Sequence, residues 1–169
     1  MCSSDLSLIV RMRSNDMTDL MGGTELARVE ANASMDNWEQ FIDFVTALID
    51  KEISDQSRAY KLRLAYEELL SNIIRASSEA PSEDNPITLE VSVLKNFRDD
   101  YNWLVLRTRD TGRHFDPHFY QRDAVDVDQP VHERKIGGLG LFLIQESVDH
   151  VAYDWNDGKN TYELCTKVS

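Results

Sequence analysis

The sequence predicts an α+β fold, a two-layer α/β sandwich with a mixed or antiparallel sheet and its helices on one face. Three observations predict it. Stretches with strand character come in adjacent pairs, 87–93 with 103–106 and 151–155 with 161–165, each pair joined by a short polar turn. Stretches with helical periodicity, at 36–49, 62–79 and 141–148, lie before and between those pairs. Strands paired in this way, and not alternating one by one with helices, argue against a doubly wound parallel sheet. A length of 169 residues fits one domain, and 41% hydrophobic residues suffice for a two-layer core.

In chain order, residues 1–22 read as an N-terminal extension or linker: 6–10 are strand-like, and 14–23 are polar and end in Gly22-Gly23. The domain proper takes in residues 23–169 and begins with a short half-buried strand at 24–30. Asp36 is the expected N-cap of a helix whose Trp38, Phe41, Ile42, Val45, Leu48 and Ile49 recur at helical spacing. Residues 54–57 break it before the second helix, 62–79. There Leu62, Ala65, Tyr66, Leu69, Leu70, Ile73 and Ala76 share one side, and Arg63, Glu67, Ser71 and Arg75 the other. Glu68 and Asn72 fall on the border, beside the core yet within reach of a cleft.

A polar turn at 81–86 ends that helix. Residues 87–93 alternate apolar and polar, whereas 103–106 are apolar on both phases, as a central strand covered on both sides requires; 98–102 form the hairpin loop. Residues 113–136 are long, charged and weakly periodic, the signature of a functional lid or of a disordered segment. Glycines at 137, 138 and 140 end it, a short buried helix follows, and two strands close around Asn156-Asp157-Gly158.

Eighteen Lys and Arg stand against thirty Asp and Glu, a net charge of −12. That balance argues against nucleic acid or an anionic membrane as main partner, since a phosphate backbone is held by clustered cations. It leaves ATP open, because a few local donors and a divalent cation neutralise its phosphates. The two cysteines, Cys2 and Cys165, are expected as reduced thiols of a cytoplasmic protein. No apolar run approaches the ~20 residues of a membrane span and no signal-peptide core is present.

Three motifs carry chemistry. Asn72 offers a neutral amide oxygen, and Mg²⁺ often takes only one or two protein ligands beside phosphates. Glu68, one turn earlier, is placed to orient or deprotonate an attacking hydroxyl or water. Asp110 ends the central strand, where a carboxylate accepts a hydrogen bond from the exocyclic amine of adenine, and Gly112 lets a flat base approach the backbone. Gly137-Gly138-Leu139-Gly140 opens a helix, so backbone N–H groups with the dipole behind them can face phosphate. It is neither a Walker A loop nor a dinucleotide fingerprint: no Gly-Lys-Ser/Thr follows, and position 143 is leucine. Arg134 and Lys135, beside this loop, read equally as phosphate contacts or as a solvated pair. His132 reads as a solvated loop residue, and His114, His118 and His150 have no metal-ligand spacing with the cysteines.

Taken in order, Glu68-x-x-x-Asn72, Asp110-x-Gly112-x-x-Phe115-Asp116-Pro117 and Gly137-Gly138-x-Gly140-Leu141 resemble the N, G1 and G2 boxes of the GHKL (Bergerat-fold) ATPases. The chain is similar to the anti-sigma-factor serine/threonine protein kinases of bacteria, through Phe115-Asp116-Pro117 and Gly140-Leu141-Phe142-Leu143-Ile144. The resemblance runs from 24 to 169. It implies the Bergerat ATP-binding fold with ATP and Mg²⁺ as cofactors, Glu68 as catalytic base, Asn72 as metal ligand and Asp110 as adenine reader. It places Gly112 and Phe115 beside the base, Arg75 near the nucleotide, and Gly137, Gly138, Leu139, Gly140 and Leu141 around the phosphates. Thr161, in Gly158-Lys159-Asn160-Thr161, matches a threonine that supports the adenine end. The activity so implied is phosphorylation of a serine or threonine on an anti-anti-sigma (STAS) protein, by a homodimeric kinase that alternately binds a sigma factor.

Two positions depart from the family pattern: His114 replaces the glycine usual before Phe115, and Ala76, with Arg75 beside it, replaces a histidine common after the asparagine box. The alternatives are a non-catalytic ATP-binding partner-switch module and the ATP-binding domain of a sensor histidine kinase; the lack of a preceding hairpin with a phosphoacceptor histidine counts against the latter. Residues 5–11 faintly resemble the final strand of PP2C-type phosphatases, which would make 1–22 the remnant of an upstream domain.

Overall fold

A computed structural model describes residues 19–78, 86–119 and 138–168, and the account below concerns these residues. The sheet is organised around the most apolar strand. β3 (Tyr101–Asp110) holds Trp103, Leu104, Val105 and Leu106, all buried, so it needs cover on both faces and lies in the middle. β2 (Thr88–Arg98) and β5 (Lys159–Lys167) flank it, and β1 (Thr24–Asn32) and β4 (His150–Asn156) form the edges, giving the order β1-β2-β3-β5-β4. Every neighbouring pair is antiparallel. The expected α+β sandwich is therefore present, with the sheet wholly antiparallel.

Alternation along the strands sorts residues to two faces. Leu89, Val91, Val93, Leu104, Leu106, Tyr162 and Leu164 join the large core under the helices; Leu94, Trp103, Val105 and Cys165 form a small cluster on the far face. The helical layer consists of α1 (Trp38–Glu52), α2 (Gln56–Ser78) and α3 (Gly138–Ser147). α1 buries Phe41, Val45 and Ile49, one residue per turn. α2 buries Leu62, Ala65, Tyr66, Leu69, Leu70 and Ile73 and touches α1, α3 and β5, which makes it the central element of its layer.

Element ends differ from the sequence reading for local reasons. Asp36 does not cap α1. It lies in a 3₁₀ turn (Met35–Asn37) capped by Ser34, whose Oγ accepts from the Asp36 N–H at 3.2 Å. α2 begins at Gln56, six residues before the periodic stretch, because the Asp55 carboxylate accepts from the N–H groups of Ser57 (3.0 Å) and Arg58 (3.3 Å). The loop expected at 98–102 shrinks to Asp99-Asp100, both at positive φ, and Asp157-Gly158 makes the same kind of two-residue turn. Positive φ at both turn residues matches the right-handed twist of the paired strands.

Residues 19–23, read as the end of a linker, lie along the far face of the sheet. The N–H groups of Met21 and Gly22 donate to the Glu163 carboxylate, and Asn96 Nδ2 donates to the Met21 carbonyl at 3.1 Å. Gly23 has φ 142° and a Cβ there would stand 2.4 Å from the Lys95 carbonyl oxygen, so only glycine passes. Arg107 closes on Glu163 through Nε (2.9 Å) and Nη2 (2.7 Å). Cys165 is a free, buried thiol raised above its ordinary pKa by desolvation; Cys2 lies outside the described residues. Among the described residues no helix is long and apolar enough to cross a membrane.

Candidate functional site

The site forms where β3 ends. Antiparallel register sets Asp110, its last residue, opposite Asn160 on β5, both on the helical face. Asp110 is 3% exposed, and its Oδ1 accepts from the Gly112 N–H and from Asn160 Nδ2, each at 2.9 Å. The first bond is an Asx-turn, by which a short carboxylate folds the chain back two residues on. Desolvation raises the Asp110 carboxyl above the ordinary carboxylate range, and the bonds from Asn160 and Gly112, with the neighbouring Tyr162 hydroxyl, oppose that rise. The bonds from Asn160 and Gly112 both end on Oδ1, and a carboxylate, with about four lone-pair sites, keeps acceptor capacity beside these two and the Tyr162 hydroxyl. Space at Gly112 is tight: a Cβ would sit 3.0 Å from Asp110 Oδ1, which would have to give by a few tenths of an ångström, and 3.5 Å from Ile87, an ordinary contact.

A slot opens between the loop after β3 and the C-terminal part of α2. Ile73, Ala76 and Ser77 form one wall, Gly112, Arg113 and Phe115 the other, and Asp110 and Tyr162 the end. The loop is held at several points. Asn160 Oδ1 accepts from the Phe115 N–H (2.9 Å) and the Tyr153 hydroxyl (2.5 Å), Asn160 Nδ2 also donates to the Arg113 carbonyl (2.7 Å), and the Tyr162 hydroxyl donates to the Phe115 carbonyl (3.0 Å). Burial, chiefly, raises both tyrosine hydroxyls well above their ordinary pKa, so they act as protonated donors at neutral pH. The His114 ring stacks on Tyr153 and tilts against Trp155. Further on, the Asp116 carboxylate accepts from the His118 N–H (2.8 Å), and Gln145 of α3 donates to the Phe119 carbonyl.

Glu68 and Asn72 are both half-buried on α2. With Ala76 they make one stripe at spacings of four residues. At a rise of ~1.5 Å per residue, Asn72 lies ~6 Å and Glu68 ~12 Å back along the helix from Ala76. Gly138, Leu139, Gly140 and Leu141 are the first turn of α3, which packs on α2. The structure thus assembles Asp110, Gly112 and Phe115 in one slot, and Glu68 and Asn72 lie on the same helix as its Ile73–Ser77 wall without lining it. It does not bring Thr161 there. Thr161 pairs with Arg109, and alternation turns it to the sheet face opposite Asp110; Asn160 takes the place beside the carboxylate. Arg75 is exposed and lines no part of the slot. Gly137, with the rest of 120–137 including His132, Arg134 and Lys135, lies outside the described residues.

The slot sets one buried carboxylate among apolar Ile73, Ala76 and Phe115 and polar Ser77 and Arg113. Among the described residues no three His, Cys, Asp or Glu side chains gather as a metal cage. A cation here would rest on Asn72 and phosphate oxygens, a set that suits Mg²⁺. Asn160, Tyr153 and Tyr162 are the site residues that sequence reasoning missed. A signal existed for two of them: Tyr162 and Leu164 are inward-facing apolar positions of β5, and Asn160 shares their phase.

Comparison with known proteins agrees with this geometry. The model of the histidine kinase-like ATPase domain matches residues 31–166. The serine-protein kinase RsbW of Listeria monocytogenes is 29% identical over 99 residues, 57% of this chain and 59% of that protein, and RsbW of Listeria innocua is 28% identical over the same length. The match therefore spans under two thirds of these relatives. Among solved structures, the SiaB–SiaC complex from Pseudomonas aeruginosa superposes with a TM-score of 0.51 at 15% identity, covering 98% of this chain and 99% of that one, a likeness of fold. Over four fifths of its length, then, with the boxes at Glu68–Asn72, Asp110–Gly112 and 138–141 inside the match, the chain belongs to the histidine kinase-like ATPase domain family.

Proposed function

We propose that this chain is an ATP-dependent serine/threonine protein kinase whose substrate is an anti-anti-sigma (STAS) protein, with a sigma factor as alternate partner. It acts in the cytoplasm as a homodimer. The observation that carries the nucleotide part is the buried Asp110 carboxylate, fixed through Oδ1 in the slot with acceptor capacity to spare. The family match and the RsbW relatives support ATP and a serine hydroxyl as the two substrates.

In this reading the chain's residues divide the work along α2. Asp110 accepts from the adenine amine, while Phe115 and Ile73 cover the ring's faces. Asn72 holds Mg²⁺, which supplies charge neutralisation to the phosphates when bound. The first turn of α3 turns its free N–H groups to the phosphates. Glu68, farthest from the base end, takes the hydroxyl proton of the target serine as that oxygen bonds the γ-phosphorus and ADP leaves with the electrons of the broken P–O bond.

The test is incubation with labelled ATP, Mg²⁺ and candidate STAS proteins, reading phosphoserine. Wild type labels the partner, and Glu68→Gln lowers the rate by about 10²–10⁴-fold with ATP affinity retained. Undiminished turnover in Glu68→Gln removes the residue from the base role. ATP binding without any phosphoserine leaves a partner switch that only binds.

A further inference from the structure

Asn160 belongs to none of the three boxes, yet it is the most heavily used polar group at the site. It is 0% exposed, and it spends every hydrogen-bonding position it has. Nδ2 donates to Asp110 Oδ1 (2.9 Å) and to the Arg113 carbonyl (2.7 Å); Oδ1 accepts from the Phe115 N–H (2.9 Å) and the Tyr153 hydroxyl (2.5 Å). The four partners lie on β3, on the loop that walls the slot and on the edge strand β4, so one side chain ties three segments together.

We propose that Asn160 is a positioning and specificity-determining residue: by donating to one oxygen of Asp110 and clamping the 113–115 backbone, it presents the other oxygen as a fixed acceptor that selects an amino-bearing base edge over a carbonyl. The inference rests on the nucleotide reading given above.

The chemistry is particular to an amide. A side chain that only accepts would leave the Asp110 carboxylate without this donor in a desolvated place; one that only donates would leave the Phe115 N–H and the Tyr153 hydroxyl unmatched, at a cost each. An amide does both at once with no charge. With Asp110 held as an acceptor, adenine offers it N–H, whereas guanine sets a carbonyl oxygen against a carboxylate. A site built to pair a polar group discriminates strongly against a ligand that cannot pair it.

Two substitutions and one control test this by titration with ATP and GTP in Mg²⁺, each variant expressed relative to wild type at the same pH. In Asn160→Asp the introduced carboxyl faces Asp110, and at low pH the pair shares a proton that restores the missing donation. ATP affinity is then near that of wild type at pH 5.5 and falls at least about tenfold relative to it by pH 8, as the shared proton is lost. Tyr153→Phe removes one bond to Asn160 and keeps the ring; it is expected to fold, to weaken ATP roughly two- to fivefold and to narrow the ATP-to-GTP preference, the scale of one neutral hydrogen bond. This conservative variant keeps the test alive if Asn160→Asp does not fold.

A residue that merely supports the fold would lower the melting temperature without moving the selectivity or the pH profile. Folded variants with wild-type ATP affinity, wild-type ATP-to-GTP preference and no new pH dependence overturn the inference while leaving the nucleotide reading intact. A wild-type protein that binds no ATP overturns both.

Discussion

In the proposed function Asp110 is an ionised acceptor, in a place where burial disfavours ionisation. Burial raises its carboxyl in the folded chain relative to the unfolded one. The folded state therefore binds more protons between those two values, and this group's contribution to stability is present at low pH and lost as pH rises through the folded value. Asp110→Asn removes that loss and keeps an oxygen for Gly112 and Asn160. It is expected to melt at the same or a higher temperature than wild type at pH 7, with the difference shrinking below the carboxylate range; a drop of several degrees at pH 7 in thermal melts would count against the placement of the carboxylate. Asp110 and Gly112 were legible in the sequence, since a strand-ending Asp-x-Gly has a physical use. Asn160 was not, because its partner is fixed by the register of a strand fifty positions away. Thr161 was misplaced by reading a string where the alternation of β5 decides the face.

Among the elements, α2 was plain from its centre. Leu62, Leu69, Leu70 and Ile73 keep the helical period, and all are buried. Its first six residues were missed because only Ala59 among them joins the buried face; the capping bonds of Asp55 fix the start. The segment before β1 was harder still. Glu163 looks like an ordinary outward charge in a strand, yet it is fully buried, facing Arg107 and the N–H groups of Met21 and Gly22. Glu163→Ala leaves the Arg107 charge, 16% exposed, without its partner. Removing one member of a buried pair costs about 3–5 kcal/mol, with the lower end expected here because Arg107 retains some solvent. Urea unfolding should show that loss, together with faster amide exchange at residues 21 and 22; a loss below ~1 kcal/mol would mean that the pair is dispensable.

At the scale of the molecule, the fold class followed from two strand pairs and three periodic stretches, and sequence neighbours β2–β3 and β4–β5 do pair. The insertion of β5 between β3 and β4 could not be read from the string, although it is what carries Asn160 to Asp110. That topology sets a carboxylate-ended slot at one end of α2 and a Glu–Asn stripe behind it, the order a nucleotide needs from base to transferred phosphate. The claim that everything else depends on is the base end, and calorimetric titration of wild type and Asp110→Asn with ATP and GTP in Mg²⁺ tests it most directly. Wild type is predicted to prefer ATP, and the substitution to weaken ATP by about 1.5–3 kcal/mol, the worth of a charged hydrogen bond, with GTP little changed. Equal ATP affinity in the two proteins, or none in wild type, would contradict the account.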